Sequence, residues 1–273
     1  MKAAAVPLML GALGLGLPTS GLAAPVTLKS DLPAYEVAQP EGLPAAPAGR
    51  EQDCRSAQPQ LPAGKAVQAA GWQVISEASL GGHAVVAFAA DSSLGPEGVC
   101  EYTNSNLGIF DGEKLVGFYW SQGASSKLFG RLDAGPEGVV TINNSTFPVV
   151  PVGQLAYQDG GFVLQALPPS LAACEGRVHL PQRWLAPIGE MRAGLIETGW
   201  TPVASPATGS EAEFMQQHGF PETASCSGSA VNYCSLAYAT AGATLRIITV
   251  GELGEDYQPI VADYELTCEG ESQ

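Results

Sequence analysis

The chain has 273 residues, with 12 Lys and Arg against 27 Asp and Glu, a formal net charge of −15. A surface so acidic repels nucleic acid and anionic lipid, which argues against both as partners. Charged residues make up only 14% of the chain, and 33 Gly with 21 Pro favour a turn-rich, mostly β protein over a helical bundle.

The first residues, "MKAAAVPLMLGALGLGLPTSGLAAPV", carry one positive charge at Lys2, then an apolar run, then small residues. That layout predicts a secretory signal peptide over 1–23 and a mature start at Ala24, with Gly21 and Ala23 at the two small-residue positions. No cysteine follows the run, so a lipid anchor is not indicated. No later segment reaches the roughly 20 apolar residues of a membrane helix. The expected product has no membrane span and works in the periplasm or outside the cell.

Residues 24–65 are rich in Pro, Ala and polar side chains and show no hydrophobic period, which predicts a disordered leader. From 66 to 170 the pattern is β. "LGPEGVCEYTNS" recurs forty residues later as "AGPEGVVTINNS", and each copy is followed by an Asp-Gly hairpin signal, at Asp111-Gly112 and Asp159-Gly160. This region is expected to form a β-meander closed into a small barrel or sandwich. In "VGFYWSQG", Tyr119 and Trp120 fall on opposite strand faces, one for the core and one for packing or for stacking on a ligand.

Residues 171–273 are expected to form a small α+β domain, so the fold class is α+β with a β-rich first domain. A helix is predicted from about Pro187 to Thr198, with Ile188, Met191 and Leu195 as its apolar stripe. "SEAEFMQQHGF" predicts a second, with Ser210 as cap, Glu213 completing a capping box and Gly219 as stop. Four strands follow in "ETASC", "CSLAYAT", "TLRIITV" and "PIVADYELTC". In the last, Ile260, Ala262, Tyr264, Leu266 and Cys268 alternate with Asp263 and Glu265, the mark of a half-buried strand. Each half also runs from a cysteine through a short helix to Gly-Trp, at Gly71-Trp72 and Gly199-Trp200, where the glycine suits a left-handed helix end.

The six cysteines, with no Cys-x-x-Cys among them, point to disulfides in an oxidising compartment. A hairpin brings Cys226 opposite Cys234, and pairing Cys174 with Cys268 and Cys54 with Cys100 keeps each half self-contained. Other connectivities remain open to the sequence. "SCSGSA" lacks the glycine frame and following helix of a nucleophile elbow, so Ser227 and Ser229 read as turn residues. No metal site and no cofactor is expected, since bridged thiols cannot be ligands.

His83, on a strand face with Val85 and Ala87, reads as a hydrogen-bonded core or edge residue, and His218 as a helix-end residue. The most distinctive local feature is "CEGRVHLPQRWLAP", where Arg177, His179 and Arg183 gather beside Trp184 in the connector between the halves. Arg and Trp suit recognition of an anionic group, and seams between domains are favoured ligand sites. The plain reading is a connector whose arginines pair with the chain's own surplus acids. Two functions follow from the sequence. The first is a non-enzymatic exported or envelope-associated protein that binds a small anionic ligand or a protein partner. The alternative is a secreted hydrolase with a dispersed Ser-His-Asp site, which requires a histidine to share a cleft with a serine and a buried carboxylate.

Overall fold

A computed structural model describes residues 26–48, 53–121, 129–135, 138–254 and 258–270. The expected signal peptide lies outside the described residues. The chain is β-rich, with three helices among the described residues: α1 (Pro62–Ala69), α2 (Ile188–Glu197) and α3 (Ser210–Gln217).

The strands of the first half are β1 (Thr27–Ser30), β2 (Tyr35–Ala38), β3 (Gln73–Leu80), β4 (His83–Ala89), β5 (Asp91–Leu94), β6 (Cys100–Thr103), β7 (Asn106–Asp111) and β8 (Lys114–Ser121). They continue with β9 (Phe129–Ala134), β10 (Val139–Asn144), β11 (Pro151–Gln158) and β12 (Gly161–Gln165). One sheet has the order β1-β12-β11-β10-β9 and a second β2-β8-β7-β4-β3, with β5 and β6 as a separate hairpin. Both five-stranded sheets feed one apolar cluster: Val85, Leu107, Ile109 and Tyr119 from one meet Phe129, Ile142, Leu155 and Phe162 from the other. Tyr119 is fully buried and its hydroxyl donates to the Phe162 carbonyl at 3.0 Å, while Trp120 is half-buried.

The forty-residue repeat has a structural counterpart. Gly95 N–H donates to the Val99 carbonyl at 2.8 Å, and the equivalent Gly135 N–H donates to Val139 at 3.2 Å. The β11–β12 turn takes positive φ at both Asp159 and Gly160, the left-handed pair that a tight primed turn demands. Pro136 and Glu137, inside the second copy, lie outside the described residues.

Part of the expected disordered leader forms strands. Residues 26–38 supply β1, parallel to β12, and β2, antiparallel to β8, so one short strap adds a strand to each sheet. Tyr35 is buried against Phe129, with ring centroids 4.8 Å apart. The absence of a hydrophobic period misled because the strands are only four residues long. Burial of one Tyr and main-chain pairing to two preformed sheets hold them instead. Further on, Trp72 Nε1–H donates to the Pro44 carbonyl at 2.8 Å, and α1 occupies the leader's last residues.

The second half contains β13 (Ser170–Ala173), β14 (Val178–Pro181), β15 (Thr201–Pro202), β16 (Thr223–Cys226), β17 (Cys234–Thr240), β18 (Ala243–Val250) and β19 (Ile260–Cys268). Its main sheet is antiparallel in the order β15-β17-β18-β19, with β16 also on β17. The expected stripe of Ile188, Met191 and Leu195 on α2 is fully buried in a second core with Val178, Leu236, Tyr238 and Ile247. The predicted alternation in β19 needs a correction at its start. A register shift opposite Ile248/Thr249 puts Val261, rather than Ala262, into this core, and the expected pattern holds from Asp263 onward.

Capping of α3 also departs from expectation. Gly209 is the N-cap, at φ 93°, and Ser210 is the first helical residue, its hydroxyl donating to Glu211 at 2.9 Å rather than to the backbone. Helix ends elsewhere follow one rule. Gly71, Gly199 and Gly219 are all left-handed, and the aromatic residue after each donates its N–H back into the helix, Trp72 to Val67, Trp200 to Leu195 and Phe220 to Met215.

All three disulfides have the pairing favoured above: Cys54–Cys100, Cys174–Cys268 and Cys226–Cys234. No cysteine is free, the chemistry of an oxidising compartment. Cys226 and Cys234 face each other directly across β16 and β17, so the opening between them is a stapled hairpin loop. Among the described residues no helix is long and apolar enough to cross a membrane.

Candidate functional site

The connector between the two cores runs through β13 and β14, which pair as a hairpin, and then through residues 182–187 to α2. Residues 182–188 are sewn down at both ends. Gln182 N–H donates to the Pro169 carbonyl at 3.0 Å; Leu185 N–H donates to Val261 at 3.0 Å and Ile188 N–H to Pro259 at 2.9 Å. Leu185 takes a left-handed φ of 61°, which turns the chain sharply just after Trp184.

That turn sets the Trp184 indole on the Tyr264 ring of β19, with centroids 4.4 Å apart and planes 22° from parallel. Gln182 locks the stack from the side. Its Oε1 accepts from Trp184 Nε1–H at 3.0 Å, and its Nε2–H donates to the Tyr264 hydroxyl at 2.9 Å. Burial pushes the Tyr264 phenol above its ordinary range, so the ring stays neutral. The indole is therefore a fixed platform whose polar edge is already satisfied within the fold.

Trp184, Gln182 and Leu185 form one wall of a cleft of about 330 Å³. The strap supplies another wall through Leu32 to Tyr35, and Val150 to Val152 with Leu167 complete it. The size is at the low end for small-molecule sites, and the lining is mostly apolar, with the Gln182 amide and the Tyr35 phenol as its polar side chains. Both halves of the chain contribute, so the cleft lies on the seam between the two cores.

Of the four residues singled out in the connector, this cleft receives Trp184 alone. Arg177 folds over the hairpin turn, its Nε–H donating to the Cys174 carbonyl at 2.9 Å and its Nη2–H to the Glu269 carbonyl at 3.4 Å. The His179 side chain is exposed on β14, while its carbonyl accepts from Trp200 Nε1–H at 2.9 Å. Arg183 is exposed and lies over α2 at Gly194, where an added Cβ would sit 2.9 Å from its Nε. Among the described residues neither Arg177 nor Arg183 forms an ion pair, so the surplus acids do not neutralise them. Alanine at both positions is expected to change the stability of the free protein by less than about 1 kcal/mol, measured by denaturant unfolding, because both charges face solvent.

The platform partners Gln182 and Tyr264 escaped the sequence reading. Gln182 lies two residues before Trp184, between Pro181 and Arg183, and nothing local distinguishes it. Tyr264 stood out only as a strand residue.

The histidines bear on the hydrolase alternative. His83 Nδ1 lies 3.0 Å from the Gly81 carbonyl, and its ring packs edge-on against Phe162. His218 Nδ1 lies 2.8 Å from the Phe214 carbonyl of its own helix. Ser227 and Ser229 hydrogen-bond each other at 3.0 Å, and Ser227 Oγ also accepts from Tyr233 N–H at 3.0 Å. Among the described residues no histidine hydrogen-bonds a serine or a carboxylate, and no three His, Cys, Asp or Glu side chains gather as a metal site.

Comparison with protein-family models, with curated proteins and with solved structures returns no match.

Proposed function

We propose that this chain is an exported, disulfide-braced binding protein without catalytic activity, made of a sandwich-like domain at 66–170 with its strap and a smaller α+β domain at 171–273. Its ligand site is the seam cleft. The observation that carries this reading is the Trp184 indole, stacked on Tyr264 and fixed by Gln182, forming a wall of a mostly apolar cleft. A preorganised aromatic face with its N–H satisfied favours a ligand with a flat or apolar body, recognised by contact area rather than by many hydrogen bonds. Arg177, His179 and Arg183 lie outside the cleft lining, so this reading rests on contact with the apolar walls and not on capture of an anionic group. Nucleic acid and membrane spanning have no place in this proposal.

The test is a thermal-shift screen of the exported protein against aromatic carboxylates, short fatty acids, sugars and peptides. A compound that binds only the folded state raises Tm in proportion to the logarithm of its concentration over Kd. At least one compound with an apolar body is expected to do so, and Trp184→Ala is expected to abolish its effect. A hit that survives in Trp184→Ala places the site elsewhere. Turnover of an ester or peptide in the same panel would favour the hydrolase instead.

A further inference from the structure

A second cleft, of about 480 Å³, shares no lining residue with the first. It lies between α3, the Gly228–Asn232 part of the stapled loop, and Glu252 with Leu253 after β18. Its walls are braced. The Cys226–Cys234 disulfide closes the loop, Asn232 N–H donates to the Ser229 carbonyl at 3.0 Å, and Gly251 N–H donates to Val231 at 2.9 Å, tying the loop to the turn that carries Glu252.

Two carboxylates from separate elements, Glu211 and Glu252, line this space, and among the described residues neither has an ion-pair partner. The hydrogen bond from Ser210 and one from its own backbone N–H hold Glu211 below the usual carboxylate range, so it stays charged. In the same lining Phe214 leaves 43% of its surface exposed, its ring centroid 4.0 Å from that of His218. The side-chain oxygen of Asn232, in the loop wall, is buried and accepts no hydrogen bond from the described residues. The cleft thus combines negative charge and an open aromatic face. A chain with 27 acids and 12 bases has few cations of its own to answer them.

Among the described residues no three acidic, His or Cys side chains converge here as metal ligands, and the space is far larger than a bare ion requires. A carbon chain could lie on Phe214 and Leu253 with its nitrogen between the carboxylates, where charge and cation–π attraction act together. We propose that this cleft binds a small organic cation, a free alkylamine or alkylguanidine carrying a primary ammonium or guanidinium group.

The experiment is isothermal titration of 1,5-diaminopentane and agmatine into the full exported protein at low and at physiological salt, with 1,5-pentanediol as the neutral counterpart. Saturable binding of one equivalent is expected for the amines and none for the diol. Glu211→Gln with Glu252→Gln is expected to weaken binding about tenfold or more, the size of a lost charged hydrogen bond. Phe214→Ala should weaken it several-fold, while neutralising the remote exposed Glu113 and Glu197 should leave it unchanged. Equal weakening by the remote pair, or equal binding of the diol, would overturn the proposal by showing only diffuse charge attraction or only apolar contact. Since Glu211 and Glu252 are exposed, an unchanged Tm certifies that the variants fold. If the double variant unfolds, each single variant must weaken binding for the proposal to stand.

Discussion

Replacing Cys174 and Cys268 together with alanine is expected to lower the free energy of unfolding by about 4–5 kcal/mol, the value of closing a loop of that length in the chain-entropy account. The bridge spans 94 residues and joins the β13–β14 turn to the last residue of β19, with Cα atoms 5.4 Å apart. It holds the hairpin that precedes Trp184 against the strand that carries Tyr264. Removing Cys226–Cys234, which spans only 8 residues, should cost about 2–3 kcal/mol on the same account. The measurement is urea unfolding of both double variants beside the wild type. Equal losses would show that local packing, not loop closure, sets the worth of each bridge. A total stability of about 5–15 kcal/mol is usual for natural domains, so the longer bridge accounts for much of what this half has.

Glu222→Ala is expected to cost about 3–5 kcal/mol, the penalty for breaking a buried charge pair from one side. Glu222 is fully buried just after α3. Its Oε1 accepts from Arg192 Nε–H of α2 at 2.8 Å and from the Tyr238 hydroxyl of β17 at 2.9 Å, while Oε2 is buried without a partner among the described residues. One carboxylate thereby joins both helices' surroundings to the centre of the sheet. Burial, with the adjacent charge on Glu222, pushes the Tyr238 phenol far above its ordinary range, so the hydroxyl keeps its proton and donates it to Glu222. Truncation to alanine leaves a buried hydroxyl with no acceptor and opens a cavity. Glu222→Gln retains an acceptor for Tyr238 and should cost clearly less. Losses under about 1 kcal/mol for the alanine variant, read by urea unfolding, would mean that water reaches the pair and screens it.

What could be read in advance followed the range of the interactions. The stripe on α2, the strands from Cys234 to Val250 and the Cys226–Cys234 staple arise from contacts between near neighbours, and periodicity reports those. The strap at 26–38 was invisible because partners eighty or more residues away create its strands. Ser210 had the right identity for a cap, but it is the first helical residue, and Gly209 at φ 93° takes the N-cap position one residue earlier. Glu222 offered no local signal at all, since Arg192 lies 30 residues before it and Tyr238 lies 16 after. The connector drew notice for its cations, yet the fold uses its tryptophan and a glutamine in the cleft and sends Arg177 to main-chain carbonyls. Composition shows which residues are unusual. Where each side chain comes to lie depends on turns such as the left-handed Leu185, and a single residue's conformation is beyond what composition specifies.

The most direct measurement of the seam site is a two-dimensional proton–nitrogen NMR titration that follows the indole N–H signals of the four tryptophans as the ligand from the screen is added. The Trp184 signal is identified by its loss in Trp184→Phe. The account predicts that it moves first and furthest, together with the Leu32, Ala34, Tyr35, Val150 and Val152 amides across the cleft. A still Trp184 signal, with shifts confined instead to the hairpin around Arg177 and His179, would contradict it.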